Sequence, residues 1–219
     1  MLKKLLSYFV PVKIHQSKSR WSRSLEIAWN NGELVMDSAH TNYSYGSLQR
    51  ILRKGLKAIG FEKVSQMRQI LVLGVAGGSV IKTLTEEIGF KGKITGVDID
   101  AEVIALANRY FGLDQIPSLD IVIDDAFEYM LKTQEKYDLI IVDIFQDTKM
   151  PNFLFEPFFA KRLRYLLHPG GIVLFNTMLL NQKDNDRNKA YLATLGALGF
   201  QYRTIPRVEQ HNELILFEN

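Results

Sequence analysis

The stretch from Ile70 to Asp100 reads ILVLGVAGGSVIKTLTEEIGFKGKITGVDID, and its pattern decides the fold. An apolar run ends in a glycine-rich turn at 74–79. A helical spacing of apolar residues follows, and a second apolar run ends at Asp98. This order predicts a strand, a tight turn, a helix and a second strand, which is the βαβ unit of a nucleotide-binding α/β sheet. Glycines let the backbone approach a ligand, and a helix beginning there directs free N–H groups toward it.

The composition of the turn distinguishes three classes of nucleotide site. A phosphate-binding P-loop needs a lysine before its Ser/Thr, whereas Ser79 follows Gly78. The dinucleotide pattern GxGxxG would need glycines where Ala76 and Ser79 stand. The spacing fits the GxGxG turn of enzymes that use S-adenosylmethionine (AdoMet), with one glycine replaced by Ala76. We therefore predict that the turn binds AdoMet or a related nucleoside through Gly74, Val75, Ala76, Gly77 and Gly78.

Asp98 ends the second strand, 20 residues beyond Gly78. A carboxylate at this place can accept hydrogen bonds from both hydroxyls of a ribose, so Asp98 and the adjacent Ile99 are predicted cofactor contacts. Because a strand-end carboxylate that faces a cleft supports no core, we expect replacement of Asp98 to weaken ligand binding with little effect on folding.

Beyond Asp100 the strand and helix patterns continue to alternate, which predicts a doubly wound, mostly parallel sheet. The expected elements are helices at 103–111, 126–131, 155–167 and 185–198, and strands at 119–123, 137–143, 172–176, 200–205 and 213–217. The last two strands are too close in sequence for a crossover helix, so they must pair antiparallel. A parallel sheet closed by one antiparallel strand is the Rossmann-like fold of class I AdoMet methyltransferases.

The residues before the βαβ unit predict a smaller element. Strands at 25–29 and 33–36 flank the turn signal Asn30-Asn31-Gly32 and form a hairpin, and a helix follows at 48–59. We predict a small N-terminal β-rich element with its helix over residues 1–60 and an AdoMet-binding domain over residues 61–219. The basic side chains of the helix indicate a solvated face.

Composition excludes several kinds of chemistry. The 219 residues contain no cysteine, which removes disulfides, iron–sulfur clusters and a cysteine nucleophile. The four histidines are scattered, so no metal site is expected. A net charge of +3 does not by itself indicate nucleic acid. Pro11 interrupts the short apolar run near the start, and no stretch reaches transmembrane length, so we expect a cytoplasmic protein with no membrane partner.

Five runs resemble the successive motifs of the spermidine synthase-like family of class I AdoMet-dependent transferases. They are LVLGVAGGSV, GVDIDAEVIALANRYF, IDDAFEYM, YDLIIVDIF and LHPGGIVLFNT. The N-terminal hairpin fits as well, because aminopropyltransferases have a small β-domain that helps to cover the site. The resemblance implies that Asp98 binds the ribose, that Asp125 with Ala126 binds the adenine amino group, and that Asp143 lies beside the reactive sulfonium and the substrate. Asp125 could equally cap the helix that begins at Ala126.

The sequence departs from the family at the polyamine site. Spermidine synthases have an aspartate in the glycine turn, which holds the amine of decarboxylated AdoMet, and Gly77 stands at that position. Their Asp-Ser-Ser-Asp-Pro motif corresponds here to Asp143-Ile-Phe-Gln146-Asp147, and their Tyr-His-Glu corresponds to Tyr45-Gly46-Ser47. A neutral Gly77 predicts that AdoMet binds more tightly than its decarboxylated form.

Three functions follow from these patterns. The first is a methyltransferase that acts on a small-molecule acceptor, with Asp143 as the base or orienting group and Tyr45, Gln146 and Asp147 as substrate contacts. The second is an aminopropyltransferase that uses decarboxylated AdoMet, in which Asp147 replaces the missing acid. The third is a nucleoside-binding protein without turnover. A homodimer is left open, and the sequence does not identify the acceptor.

Overall fold

The computed structural model describes residues 2–38, 42–145 and 149–218. A short helix, α1 (Leu2–Leu6), precedes a four-stranded antiparallel sheet in the order β1-β2-β3-β4. Its strands are β1 (Val12–Ser17), β2 (Leu25–Asn30), β3 (Glu33–Ser38) and β4 (Asn42–Ser44). The predicted hairpin is therefore confirmed as β2 and β3. β1 has no strict alternation of burial, which explains why the sequence did not reveal it.

The second sheet has seven strands and is covered by helices. In chain order the elements are α2 (Gly46–Ile59), α3 (Phe61–Ser65), β5 (Gln69–Leu73), α4 (Ser79–Lys82), β6 (Lys93–Asp98), α5 (Ala101–Phe111), β7 (Leu119–Ile123), α6 (Ala126–Lys132), β8 (Tyr137–Val142), α7 (Pro157–Leu166), β9 (Leu167–Met178), α8 (Gln182–Ala197), β10 (Gln201–Val208) and β11 (Asn212–Glu218). A π-helical segment at Thr83–Glu87 prolongs α4.

The strand order β10-β11-β9-β8-β5-β6-β7 confirms the predicted fold class. β11 runs antiparallel to both of its neighbours, β9 and β10, whereas β5, β6, β7, β8 and β9 pair in parallel. Only the turn Glu209–His211 separates β10 from β11, so the chain must reverse there. This is the Rossmann-like sheet of class I methyltransferases, joined to a small antiparallel sheet.

Helices cover both faces of the large sheet because its inner strands are apolar on both sides. In β5, Ile70 and Val72 pack into one core cluster, and Leu71 and Leu73 pack into the other. The helix α2 contributes Leu56, which is fully buried, to the first cluster. Burial of such a leucine stabilises the fold by roughly 1.5–3 kcal/mol. This alternation explains why strand β5 is a continuous apolar run in the sequence.

The small sheet packs on the large domain through α5. Leu25 and Ile27 of β2 form a cluster with Val103, Leu106 and Phe111 of α5. In contrast, α2 packs with β9 and β11. The boundary at residue 60 stays a prediction, but α2 belongs to the core of the large sheet.

Two predicted boundaries near the end of the chain need correction. The expected helix at 155–167 is a 3-10 turn at Asn152–Phe155 followed by α7, because Pro157 occupies the first position of the helix. The strand expected at 172–176 is β9, which already begins at Leu167 and includes His168 to Gly171. No helix in the described part of the chain is long and apolar enough to cross a membrane.

Candidate functional site

The turn between β5 and α4 lies at the carboxyl edge of the large sheet. Gly74 has a φ of 88°, and a Cβ atom there would collide with the backbone oxygen of Asp143 at the end of β8. Glycine is therefore needed at position 74 both for the conformation and for the approach of two strand ends. Ala76 also has a positive φ, 48°, at the position where the GxGxG pattern has glycine.

Asp98 fixes this turn from the end of the neighbouring strand. Its Oδ2 accepts hydrogen bonds from the backbone N–H groups of Val75 (3.0 Å) and Ala76 (2.9 Å), and its Oδ1 accepts one from Asp100 (2.9 Å). Burial raises the pKa of Asp98, and these backbone hydrogen bonds oppose that rise. Both lone pairs of Oδ2 are used by the turn, and Oδ1 keeps one lone pair for a ribose hydroxyl. The premise that the Asp98 carboxylate has no structural role was wrong, because these hydrogen bonds make it part of the turn itself, and we now expect its replacement to disturb the turn as well.

Asp125 caps α6, as the alternative interpretation of this residue proposed. Its Oδ1 accepts hydrogen bonds from the backbone N–H groups of Phe127 (2.7 Å) and Glu128 (3.4 Å). Asp125 and Ala126 also line a cavity at this edge of the sheet, so Asp125 can cap the helix and still belong to the site.

Asp143 is held by Asn176, which is held in turn by Asn212. Asn176 of β9 donates from Nδ2 to Asp143 Oδ1 at 2.8 Å, and Asn212 of β11 donates to Asn176 Oδ1 at 3.0 Å. Burial raises the pKa of Asp143 to about 7, against the opposing effect of the Asn176 hydrogen bond. A carboxyl with this pKa can act as a general base near neutral pH.

A cavity of about 290 Å³ connects the three carboxylates. Seven of the predicted site residues line it, namely Gly74, Ala76, Asp98, Ile99, Asp125, Ala126 and Asp143. Val75, Gly77 and Gly78 build the turn behind these residues and are not part of the lining. A mostly apolar cavity with a few convergent polar groups is typical of a small-molecule site. The described residues include no cluster of acidic and histidine side chains that could hold a metal ion.

Gly77 and Tyr45 meet outside the cavity. A Cβ atom on Gly77 would lie 2.7 Å from Cβ of Ser44 and 3.3 Å from the Tyr45 ring. The Tyr45 ring stacks on Phe111 at 4.5 Å, and its hydroxyl is buried without a hydrogen-bond partner among the described residues. Burial raises the pKa of Tyr45. The structure therefore does not bring Tyr45 into the cavity as a substrate contact. The other two predicted substrate contacts, Gln146 and Asp147, lie outside the described residues.

The other residues that line the cavity were not predicted from the sequence. They are Trp21, Ser47, Leu48, Ile51, Asp100, Val103, Ile144, Phe145, Pro151, Phe153, Asn176, Met178 and Asn212, together with Val97. Asn176 had a usable signal, because it is a polar residue at the end of the apolar run Ile172–Phe175. Trp21 had none, since it lies on the connection between β1 and β2.

Comparisons with known proteins agree with this arrangement. The family model described as "Spermine/spermidine synthase domain" matches residues 51–210. The "Probable polyamine aminopropyl transferase" of Bifidobacterium longum is 29% identical over 128 residues, which are 58% of this chain and 28% of that protein. The "Polyamine aminopropyltransferase" of Vibrio vulnificus is 28% identical over 151 residues, 68% of this chain and 49% of that protein. The chain thus spans about half the length of these relatives or less.

Solved structures share the fold. A probable spermidine synthase from Corynebacterium glutamicum superposes with a TM-score of 0.75 at 17% identity, over 94% of this chain and 79% of that one. Human methyltransferase-like protein 13, solved in complex with SAH, gives a TM-score of 0.66 at 21% identity, over 78% and 82% of the two chains. At these identities the likeness concerns the fold, which both kinds of transferase share.

Proposed function

This chain belongs to the spermine/spermidine synthase family, and from that premise we propose that it transfers an aminopropyl group from decarboxylated AdoMet to an amine. The family match and the relatives called polyamine aminopropyltransferases support this function over the methyl transfer that the sequence first favoured. The observation that carries the proposal is Asp143, a carboxyl with a pKa of about 7 in a cavity that two further strand-end carboxylates line.

The residues present fit a nucleoside sulfonium donor. The Asp98 carboxylate retains one lone pair, on Oδ1, for a ribose hydroxyl after it has bound the turn. Only Oδ1 of Asp125 is used in capping α6, which leaves Oδ2 for the adenine amino group. The donor supplies an activated carbon next to its positive sulfur, so the protein needs to align the acceptor and to remove its proton.

Asp143 supplies that proton transfer. Its carboxylate takes one proton from the bound ammonium, which frees the lone pair of the nitrogen. The nitrogen then forms a C–N bond to the donor carbon while the C–S bond breaks and its electron pair stays on sulfur. The products are a neutral thioether and an alkylated ammonium, and Asp143 releases its proton to solvent. Asn176 orients the carboxylate through Oδ1 so that Oδ2 is available for the substrate.

The test compares the two donors in the same reaction. The wild-type protein is incubated with a primary amine and either decarboxylated AdoMet or AdoMet, and the amine products are identified by mass spectrometry. We expect an aminopropylated amine from the decarboxylated donor. We also expect a rate at least about 10²-fold lower for Asp143→Asn, which keeps the shape of the side chain and removes the base.

Methyl transfer is the second candidate because of Gly77. The turn has no carboxylate there to hold the amine of the decarboxylated donor, and Ser44 fills the space that a side chain at position 77 would need. A methylated amine from AdoMet, without any aminopropylated product, would replace the first function by this one. Calorimetric titration then measures whether the protein binds AdoMet or decarboxylated AdoMet more tightly. If the protein binds neither donor, both candidates are wrong and a non-catalytic role remains.

A further inference from the structure

The cavity extends in two directions from β8. In the sheet order, β5, β6 and β7 lie on one side of β8, and the ends of these strands carry the turn, Asp98 and Asp125. On the other side lie β9 and β11, which contribute Asn176, Met178 and Asn212 to the lining. If the nucleoside occupies the first side, the acceptor has to occupy the second. We call this second side the acceptor end.

The helix α2 forms one wall of the acceptor end. It packs against β9 and β11, and its first turns place Ser47, Leu48 and Ile51 in the cavity lining. Together with Ile144 and Met178 these residues form a wall that is mostly apolar. Such a wall favours an acceptor whose body is hydrocarbon, because apolar surface gains free energy when it leaves water.

Charge is scarce at the acceptor end. Among the described residues that line it, Asp143 is the one that carries a charge. The side-chain amide of Asn176 offers no further hydrogen-bond acceptor to an ammonium, since its Nδ2 donates to Asp143 and its Oδ1 accepts from Asn212. Asn176 is also fully buried. Asp143 therefore compensates one ammonium charge. A second ammonium would meet the neutral oxygens of Ser47 and Asn212 but no second carboxylate among the described lining residues, so the loss of its hydration would be only partly compensated.

We propose that the acceptor is an amine with a single positive charge and an apolar body, such as a primary alkylamine, rather than a diamine. This inference rests on the proposed function and names its substrate class. The ammonium lies at Asp143, where it becomes the nucleophile, and the hydrocarbon chain extends along α2 and Met178. The hydrocarbon chain gains free energy when it leaves water, whereas the second ammonium of a diamine would need a second carboxylate to compensate for its lost hydration.

The experiment uses two amines of equal length. Pentylamine and 1,4-diaminobutane differ in that a methyl group of the first replaces an ammonium of the second. The wild-type protein is first saturated with 5′-methylthioadenosine, the thioether product of aminopropyl transfer, and each amine is then titrated by calorimetry. We expect pentylamine to bind at least about tenfold more tightly, because only the diamine buries an uncompensated charge.

Ser47 offers a gain-of-function variant with a matched control. Ser47→Glu places a carboxylate on the wall of the acceptor end, at the first turn of α2, where a negative charge suits the helix dipole. We expect this variant to bind 1,4-diaminobutane about tenfold more tightly than the wild type does. Ser47→Gln has nearly the same shape without the charge, and it should keep the preference of the wild type.

The outcomes separate the inference from the function on which it rests. The inference is overturned if the wild-type protein binds the thioether but prefers the diamine, binds both amines equally or binds neither amine. Each of these results would leave the binding of the donor unaffected. A diamine preference that disappears in Asp147→Asn also overturns it and assigns the second charge to Asp147. If the protein binds neither donor and does not bind the thioether, the proposed function itself is wrong.

Discussion

At the scale of single residues, Asp143, the proposed base, also links protonation to the stability of the fold. Its side chain is partly buried at the end of β8, and the hydrogen bond from Asn176 does not fully offset the loss of hydration. The pKa therefore rises from 3.8 to about 7. A base that is ready near neutral pH is thus obtained by placing a carboxylate where its charged form is disfavoured.

The sign of the linked stability follows from this shift. Because the folded state binds the proton more tightly than the unfolded state, the contribution of Asp143 to stability is greatest below about pH 4 and is lost as the pH rises to about 7. Above that window the charged carboxylate destabilises the fold. Because Asp143 must be ionised to act as a base, we also expect kcat/KM for the transfer reaction to increase as the pH rises through about 7.

Asp143→Asn tests this coupling. Asparagine still accepts the hydrogen bond from Asn176 but carries no charge, so we expect the variant to be more stable than the wild type at pH 8, by on the order of 2 kcal/mol. The difference should shrink toward pH 4 even though activity is lost at every pH. Urea denaturation of both proteins across this range measures it. A constant difference between the two curves would show that Asp143 does not titrate in the expected window.

At the scale of elements, the glycine turn and the end of β4 fit each other closely. Ser44 Oγ accepts a hydrogen bond from the backbone N–H of Ser79 at 3.2 Å, and Gly77 lies against the Ser44 side chain. Gly77 therefore does more than leave out a charge. Its missing side chain lets the small sheet approach the turn, so a Gly77→Asp substitution would disturb this packing as well as add a charge.

We expect Gly77→Ala to destabilise the fold by roughly 1–3 kcal/mol, because its Cβ would press on Ser44. The same substitution should cost at least about 1 kcal/mol less in a Ser44→Gly background, where the opposing Cβ is absent. A double-mutant cycle of unfolding free energies separates this coupling from the loss of the Ser79 hydrogen bond, which both Ser44→Gly proteins share. Additive effects would mean that the turn relaxes without help from Ser44.

At the scale of the whole molecule, a second contact joins the two sheets beside the cavity. The hydroxyl of Ser19, on the connection between β1 and β2, donates to Oδ2 of Asp100 and accepts from the backbone N–H groups of Trp21 (3.0 Å) and Ser22 (2.9 Å). Asp100 in turn caps α5 through Oδ1. This arrangement places Trp21 in the cavity lining, so the small sheet completes the site.

Ser19→Ala should release this connection. We expect faster amide hydrogen exchange over residues 18–24, and binding of 5′-methylthioadenosine weakened by about fivefold or more, because a buried hydrogen bond to a charged group is lost. Ser19→Thr retains the hydroxyl and should behave like the wild type. Unchanged exchange in Ser19→Ala would instead assign the position of Trp21 to the packing of β2 on α5 alone.

The sequence by itself determined the architecture and predicted the carboxylates that line the cavity. Continuous apolar runs alternating with helical spacing can be read directly, because strands buried on both faces need apolar residues at every position. The reversed strand follows from the short distance between β10 and β11, which no crossover can span. Asp98, Asp125 and Asp143 follow from their positions at strand ends, which a parallel sheet brings to one edge.

Only the tertiary structure decided the properties of these groups. The pKa of Asp143 depends on its burial and on the hydrogen bond from Asn176, and the fit of Gly77 depends on Ser44. Both partners lie more than 30 positions away in the sequence. Tyr45 matched the family pattern, yet stacking on Phe111 places it outside the cavity. Local periodicity reflects the backbone and the burial of one face. Which side chains meet across elements depends on how those elements pack, and a run of neighbouring residues does not contain that information.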